Sequence, residues 1–248
     1  MIKGLFSSAS GMQPHGIKLE VIANNLANID TTGFKKDNVF IQVLNQEQSL
    51  LRSNAGSGEL ASLDAREYTD FTQGSFRTTN NPLDIALLGD GFFSVETPQG
   101  VRYTRNGNFT LAQDGTIQTQ DGFPLMGSTG TLRIDNWSKI STGDISISAH
   151  GEMLVDHVAV GRVSIVDFPK PYNLEKVGNS FFIPKDGIAA TQADNATVVK
   201  QGMLEESNID AIEEMVNMID LNRSYETDQH MTTIQDGTLD KAMEIGRV

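Results

Sequence analysis

The segment ANNLANIDTTGFKK, residues 23–36, closes a stretch at the start of the chain that has the pattern of an α-helix. Across residues 1–35, apolar and small side chains recur at alternating spacings of three and four, which predicts one continuous helical face. We call this face the seam: Ile2, Leu5, Ala9, Met12, Gly16, Leu19, Ala23 and Leu26. Further apolar side chains lie off the seam, at Phe6, Ile17, Val21 and Ile22. A helix packed only on its own domain needs one apolar face, so this pattern favours a helix with more than one partner.

Pro14 lies in the interior of this predicted helix, between Gly11 and Gly16. An interior proline removes one backbone hydrogen bond and costs about 3 kcal/mol. We therefore expect a kink or a restart of the helix at this position.

A second helical pattern occupies residues 205–248. Ser207 followed by Asp210 resembles a capping box, and the acidic residues that follow suit the positive end of a helix dipole. Helical spacing then predicts a strong apolar face, made of Ile209, Ile212, Met215, Val216 and Ile219 and broadened by Tyr225.

The two ends of the chain differ in charge. Residues 1–36 carry four basic and two acidic side chains, a net charge of +2, and residues 205–248 carry three basic and eleven acidic ones, a net charge of −8. Opposite charges favour pairing of the two ends, either within one chain or between chains.

The centre of the chain is rich in strand and turn signals. Asn-Gly and Asp-Gly pairs, which supply the positive φ angles of tight hairpins, separate short apolar segments between residues 92 and 126. We predict an antiparallel meander there, with further strands at 132–134, 145–148, 152–155, 158–168 and 181–183. Residues 36–75, rich in Gln, Ser and Asn, have the composition of an extended connector. The predicted fold class is α+β: a helical domain from 1–35 with 205–248, the connector, and an antiparallel all-β domain over 76–204.

Composition excludes several classes of function. A formal net charge of −13 argues against binding nucleic acid or an anionic membrane surface, both of which require clustered Lys and Arg. The absence of cysteine excludes disulfides and thiolate metal sites. No apolar run approaches the roughly 20 residues that cross a bilayer, so we expect no membrane insertion. The first residues lack a sustained apolar stretch, so we also expect no cleaved secretory signal.

Candidate catalytic groups are few. The four histidines are scattered, and His150 and His157 would be close only if a hairpin joined them. The four most prominent aspartates are Asp84, Asp90, Asp114 and Asp121. The last three of them directly precede a glycine, where aspartate is a usual turn residue. We expect no enzyme, no cofactor and no metal. The alternative from another class is a secreted, β-rich, carbohydrate-active enzyme in which Asp114 and Asp121 form the carboxylate pair.

Three blocks of this sequence resemble the flagellar rod and hook protein family, in the family's order. They are ANNLANIDTTGFKK at 23–36, the central stretch from NPLDIALLGDGFF to DGFPLMG at 81–127, and QGMLEESNIDAIEEMVNMIDLNRSYE at 201–226. The resemblance implies a structural subunit of the bacterial flagellar basal-body rod. Its terminal helices would form a coiled-coil layer lining a helical tube, with the β domain facing outward. By analogy with buried Asn in coiled coils, Asn24, Asn25 and Asn28 would set register.

The resemblance also implies partners and a location. The partners would be further copies of the chain, other rod proteins and the flagellar type III export apparatus, which exports family members without cleavage. The assembled rod crosses the periplasm and transmits torque. The GDGFF block and the compact connector look more like the proximal rod protein, and a distal-rod or hook-type subunit is the alternative within the family.

Overall fold

A computed structural model of the chain describes residues 2–44, 62–134, 145–156, 158–178, 180–193 and 197–245. The fold divides into two compact units. The helical unit consists of Met1–Ala27, Asp37–Asp70 and Asp210–Val248. The β unit consists of Asn28–Lys36 and Phe71–Ile209.

Among its described residues, the helical unit contains two helices and a strand pair. The first helix, α1, spans Ile2–Ala27, and the last, α2, spans Ala211–Ile245, with a length of about 52 Å at 1.5 Å per residue. Strands β1 (Asp37–Leu44) and β2 (Ser62–Thr69) pair antiparallel from Asp37 opposite Thr69 to Leu44 opposite Ser62. The predicted connector at 36–75 therefore contains a regular ladder, which its polar composition concealed.

The helix α1 continues through Pro14 without interruption, so the predicted restart at this residue is wrong, while the alternative of a kink stays a prediction. Pro14 is itself buried, and this packing helps to offset the hydrogen bond that its ring removes. α1 ends eight residues before the predicted boundary, because the backbone from residue 28 turns to join the β unit.

The β unit consists of short strands, which are β3 (Phe76–Thr78), β4 (Ile85–Leu88), β5 (Phe92–Thr97), β6 (Gly100–Thr104), β7 (Phe109–Leu111), β8 (Ile117–Thr119), β9 (Met126–Gly127), β10 (Gly130–Thr131), β11 (Ile145–Ile147), β12 (Glu152–Val155), β13 (Val158–Arg162), β14 (Ile165–Asp167), β15 (Leu174–Val177), β16 (Phe181–Pro184), β17 (Thr191–Gln192), β18 (Val198–Gln201) and β19 (Met203–Glu205). A 3-10 helix spans Lys185–Gly187. The largest sheet has the order β15-β16-β6-β5-β14-β17, and every pairing in it is antiparallel.

The prediction of an α+β protein with a mostly antiparallel centre is confirmed. The predicted strands at 145–148, 152–155 and 181–183 correspond to β11, β12 and β16. The predicted strand at 158–168 is two strands, β13 and β14, and 132–134 forms only an isolated bridge between Arg133 and Thr116.

Two apolar clusters form the core of the β unit. The larger one joins side chains from β4, β5, β7, β8, β11, β12 and β18, with Phe93 and Val95 fully buried. The smaller one is aromatic and is centred on Phe92, whose ring lies 5.6 Å from that of Phe182. Edge-to-face aromatic pairs of this kind add to the apolar burial.

Gly107 differs from the turn glycine that its Asn-Gly pair predicts. Gly115 and Gly122 have φ angles of 85° and 84°, as tight turns require, whereas Gly107 is not in the positive-φ region. The carbonyl oxygen of Ile85 lies where a Cβ on Gly107 would be. Close backbone approach, rather than turn geometry, is what this glycine permits.

Candidate assembly surface

Among the side chains of α1 that the structure describes, from residue 14 onward, the fully buried ones do not lie on the seam. The buried residues in the described part of the helix are Pro14, Val21, Ile22 and Asn25. On a helix with 3.6 residues per turn, these lie roughly 140° around the axis from the described seam residues. Gly16 and Ala23 of the seam are exposed, and Leu19 and Leu26 are half-buried. The first four seam residues, Ile2, Leu5, Ala9 and Met12, have side chains outside the described set.

The helix α2 begins with a cap on Asp210. Its Oδ1 atom accepts hydrogen bonds from the backbone N–H groups of Ile212, at 2.8 Å, and Glu213, at 3.1 Å. Asp210 thus satisfies two of the donors that a helix start leaves open. The predicted cap on Ser207 is wrong, because the chain is still in the β unit at that point and the helix starts four residues later.

Two opposite faces distinguish the first turns of α2. The packed face holds the buried Glu214 and Leu221, with Met218 half-buried beside them. The other face, here called the outer stripe, consists of Ile212, Met215, Val216 and Ile219, with exposed fractions of 72%, 45%, 51% and 53%. The two faces lie roughly 160° apart around the helix axis. The outer stripe is therefore an apolar face of α2 that the described residues of the same chain leave largely exposed.

The helices α1 and α2 pack against each other within the helical unit. At this contact the Nε2 atom of His15 lies 3.6 Å from Oδ2 of Asp228, and both side chains are about one-third exposed. This places the middle of α1 beside the middle of α2.

The asparagines of the ANNLAN segment have different surroundings. Asn25 is buried, and its amide makes two hydrogen bonds to the backbone of Asp37: Nδ2 donates to the carbonyl at 2.8 Å, and Oδ1 accepts from the N–H at 3.0 Å. Asn25 thereby ties the end of α1 to the start of β1. Asn28 is buried in the β unit, where its Oδ1 accepts a hydrogen bond from the Thr31 hydroxyl at 3.2 Å, and Asn24 is exposed.

The GFKK residues are anchored in the β unit by a buried ion-pair cluster. Phe34 and Lys35 are fully buried, and the Lys35 ammonium lies 2.5 Å from Oε1 of Glu205. Arg105 contacts the other carboxylate oxygen of Glu205 at 3.3 Å. The same loop gains a backbone hydrogen bond, from Gly33 N–H to the Glu205 carbonyl at 2.8 Å.

Neighbouring groups complete this anchor. Lys35 also donates to the Thr72 carbonyl at 2.7 Å, and Lys176 lies 3.4 Å from the centre of the Phe34 ring, a cation–π contact. This cluster was not predictable from local sequence patterns, because Lys35, Arg105 and Glu205 are far apart in the chain. Arg105 lies between Thr104 and Asn106, and Glu205 is followed by Glu206, so no local pattern in the sequence singled out either residue.

The aspartates considered for catalysis have structural surroundings. Thr116 donates backbone and side-chain hydrogen bonds to the Asp114 carboxylate, at 3.1 and 2.9 Å, and these hold the pKa of Asp114 below its usual value. Asp90 accepts a hydrogen bond from Lys170 at 2.7 Å, which lowers the pKa of that carboxyl group. Asp121 is exposed and lies beside the turn glycine Gly122. A glycosidase needs one carboxyl group that stays protonated, so these lowered pKa values do not suit Asp114 or Asp90 to that role.

Asp84 is the buried member of the four, and its carboxylate accepts a hydrogen bond from the Asn81 amide at 2.9 Å. Among the residues that the structure describes, no three His, Asp or Glu side chains lie close enough to hold a metal ion. His157, proposed as a neighbour of His150, is outside the described residues. Within the described ranges, no helix has both the length and the apolar character needed to cross a membrane.

The remaining residues of the predicted assembly surface are divided between exposed and buried positions. Tyr225 is exposed on α2, but it lies on the side of the helix that holds Met218 and Leu221 and not in line with the outer stripe. Ile209, predicted as the first member of that stripe, is buried in the β unit and precedes the helix.

Comparison with known proteins gives three family matches along the chain. Residues 5–35 match the family described as flagella basal body rod protein, and residues 86–155 match the flagellar hook protein FlgE/F/G D1 domain. Residues 200–245 match the flagellar basal body rod FlgEFG protein C-terminal family. The matches thus include both terminal regions and the β centre.

Individual relatives match over the full length. The flagellar basal-body rod protein FlgG of Bacillus subtilis (strain 168) is 31% identical over 269 aligned residues, covering 100% of both chains. The FlgG protein of Buchnera aphidicola subsp. Acyrthosiphon pisum is 31% identical, over 99% of this chain and 100% of its own. The protein named FlgF of Rhizobium meliloti (strain 1021) is 29% identical over 98% of both chains. With full-length identity at this level, the chain belongs to the flagellar basal-body rod protein family.

Proposed function

We propose that this protein is a structural subunit of the bacterial flagellar basal-body rod and does not act as an enzyme. The names of its full-length relatives support this function, and they favour it over the carbohydrate-active alternative. Its location in the basal-body rod follows from its membership of the flagellar basal-body rod protein family.

The observation that carries the mode of assembly is the outer stripe of α2. Four large apolar side chains within eight residues are exposed, on the face opposite the one that packs inside the chain. Fully burying an Ile or Met side chain is worth roughly 1.5–3 kcal/mol. Neighbouring copies that covered this stripe would gain that free energy, and a single copy does not.

We propose that α1 and α2 of successive copies form a coiled-coil layer that lines a helical tube, with the β unit outside it. The exposed seam residues Gly16 and Ala23 and the exposed Asn24 supply the α1 side of this layer. The buried Asn25 and Asn28 contribute indirectly, by fixing the end of α1. A repeated contact that does not close on itself produces a helical polymer.

Other rod proteins and the type III export apparatus are the further partners in this proposal. Export without a cleaved signal would deliver the chain to the periplasm, where the tube transmits torque. We propose the proximal part of the rod as its position. A label on the subunit should then mark the base of isolated rods, and labelling of the hook-side end would contradict this.

The polymerisation step can be tested with Ile219→Asp. Ile219 is exposed in the folded chain, so the substitution leaves the fold intact while placing a charge in the proposed contact. We expect sedimentation velocity to show loss of polymers with Ile219→Asp at concentrations where the natural protein assembles. Gln229→Asp adds the same side chain at an exposed polar position and should assemble normally. Equal assembly of both variants would refute this role of α2.

A further inference from the structure

A cleft lies in the β unit beside the loop that follows α1. It has a volume of about 410 Å³. Its walls come from the loop 28–36, from β3 and from the segment that follows β19, and every residue that lines it belongs to the β unit. Ile29 and Ile209 supply apolar surface, and the other lining side chains are polar or charged.

Two charged residues of the cleft are already paired with each other. The Nε atom of Arg77 lies 3.3 Å from Oε1 of Glu206. The other carboxylate oxygen of Glu206 accepts a hydrogen bond from the Ser75 hydroxyl at 2.7 Å. The charges of Arg77 and Glu206 are therefore offset within the chain.

Two further polar groups of the cleft have no such partner. Ser207 is only 8% exposed, and its hydroxyl makes no hydrogen bond within the part of the chain that the structure describes. Leaving a buried hydroxyl without a hydrogen bond destabilises the folded chain, and a bound donor would remove that cost. Asp30 is exposed at the cleft, and no described residue forms an ion pair or a hydrogen bond with its carboxylate.

A lysine side chain matches these features. Its four-carbon stem can pack on Ile29 and Ile209 while its ammonium group stays beside Asp30. The ammonium has three N–H donors, which can serve both the Asp30 carboxylate and the Ser207 hydroxyl. An anionic group would instead meet the negative charge of Asp30, and Arg77, which could attract an anion, is paired with Glu206.

The β unit itself carries suitable lysines. Lys185 and Lys200 are exposed, and neither forms an ion pair with another described residue. Because the chain has a formal net charge of −13, copies that lie side by side repel one another. A lysine of one copy placed against a carboxylate of the next copy reduces this repulsion.

We propose that the cleft of one copy binds a lysine side chain from the β unit of an adjacent copy. The inference rests on the proposed function, and it adds a contact between copies that lies outside the terminal helices.

The test is cross-linking of assembled protein with a carbodiimide, which joins a carboxylate directly to an amine in contact with it. Chains of natural isotopic composition are mixed with ¹⁵N-labelled chains before assembly, so that links between copies give mixed-isotope peptide pairs in mass spectrometry. We expect mixed pairs in which Asp30 is joined to Lys185 or Lys200.

Assembly of two variants provides the second measurement. Asp30→Asn should raise the protein concentration needed for assembly several-fold, because it removes the charge that holds the ammonium. Asp121→Asn makes the same change at an exposed turn outside the cleft and should assemble like the natural chain.

Polymers whose mixed pairs never join Asp30 to a lysine of the β unit, or equal assembly of the two variants, would overturn this contact and leave the rod function in place. Absence of any polymer of the natural protein, with or without added rod proteins, would instead overturn the proposed function and this contact together.

Discussion

The ammonium group of Lys35 lies 2.5 Å from the carboxylate of Glu205, although 170 residues separate them in the chain and both side chains are buried. Arg105 shares the same carboxylate at 3.3 Å. The cluster therefore holds two cations around one anion. It fixes the loop 28–36, which follows α1, to the end of β19. The GFKK residues therefore stabilise the β unit.

We predict that Glu205→Gln destabilises the β unit more than Lys35→Met. Glu205→Gln leaves Lys35 and Arg105 buried without an anion, and breaking a buried ion pair in this way costs roughly 3–5 kcal/mol. Lys35→Met removes the ammonium with its hydrogen bonds to Glu205 and to the Thr72 carbonyl but leaves the Arg105–Glu205 pair in place, so we expect a smaller loss of stability than for Glu205→Gln. Urea unfolding followed by near-ultraviolet circular dichroism, which reports on the aromatic cluster, measures both. The reverse order of the two effects would contradict the assignment of Glu205 as the central anion.

We predict that Asp210→Ala lowers the stability of α2 by about 1 kcal/mol, since it removes the cap on two backbone donors. Thermal unfolding followed by far-ultraviolet circular dichroism checks this. The matched control is Ser207→Ala, because the Ser207 hydroxyl is buried and accepts or donates no hydrogen bond to any described residue. Equal destabilisation of α2 by Ser207→Ala and by Asp210→Ala would contradict the assignment of the helix cap to Asp210.

We predict opposite effects for two glycine-to-alanine substitutions. In Gly107→Ala the new Cβ overlaps the Ile85 carbonyl, so the backbone must move and the β unit loses stability. In Gly237→Ala the methyl group enters open space on an exposed turn of α2 and raises helix stability by up to about 1 kcal/mol. Denaturant midpoints of the two variants give the comparison. A Gly107→Ala variant as stable as the natural chain would contradict the close approach of residues 85 and 107.

We predict a pH-dependent contribution from Asp90. Its hydrogen bond from Lys170 lowers the pKa in the folded chain below the usual 3.8, so the unfolded chain binds the proton first as the pH falls. The stabilisation is present above that usual value and is lost as the pH falls through the folded pKa. Both side chains are more than half exposed, which limits the contribution to less than about 1 kcal/mol.

The comparison of the natural chain with Asp90→Asn, by urea unfolding at neutral and at acid pH, tests this. We expect a small deficit for Asp90→Asn at neutral pH that disappears in acid. A deficit of the same size at both values would exclude the carboxylate charge as its cause.

Local patterns in the sequence were sufficient for the fold class and for most strands. Helical spacing identified α1 and α2, and turn residues identified the strands around Gly115 and Gly122, because these signals depend on neighbouring residues. The predicted helix cap was three residues too early, at Ser207 instead of Asp210, since both residue types favour helix starts and only the end of β19 decides between them. The uninterrupted helix at Pro14 was missed, because its burial is a tertiary effect.

Long-range contacts were not predictable in this way. The Lys35–Glu205–Arg105 cluster joins three distant segments, and nothing in any one segment indicates its partners. The same limit applies to the assembly surface. The apolar spacing of Ile212, Met215, Val216 and Ile219 was visible in the sequence, but the composition alone did not indicate that α1 packs on the opposite face of α2.

The most direct test of the central claim, that exposed faces of the terminal helices join copies into the rod, is electron cryomicroscopy of basal bodies from cells whose only copy of the protein carries Ile212→Asp and Ile219→Asp. We predict that the exported variant is folded but that rods lack this subunit and end early, whereas Gln229→Asp gives complete rods. Complete rods containing the double variant at normal occupancy would contradict the claim.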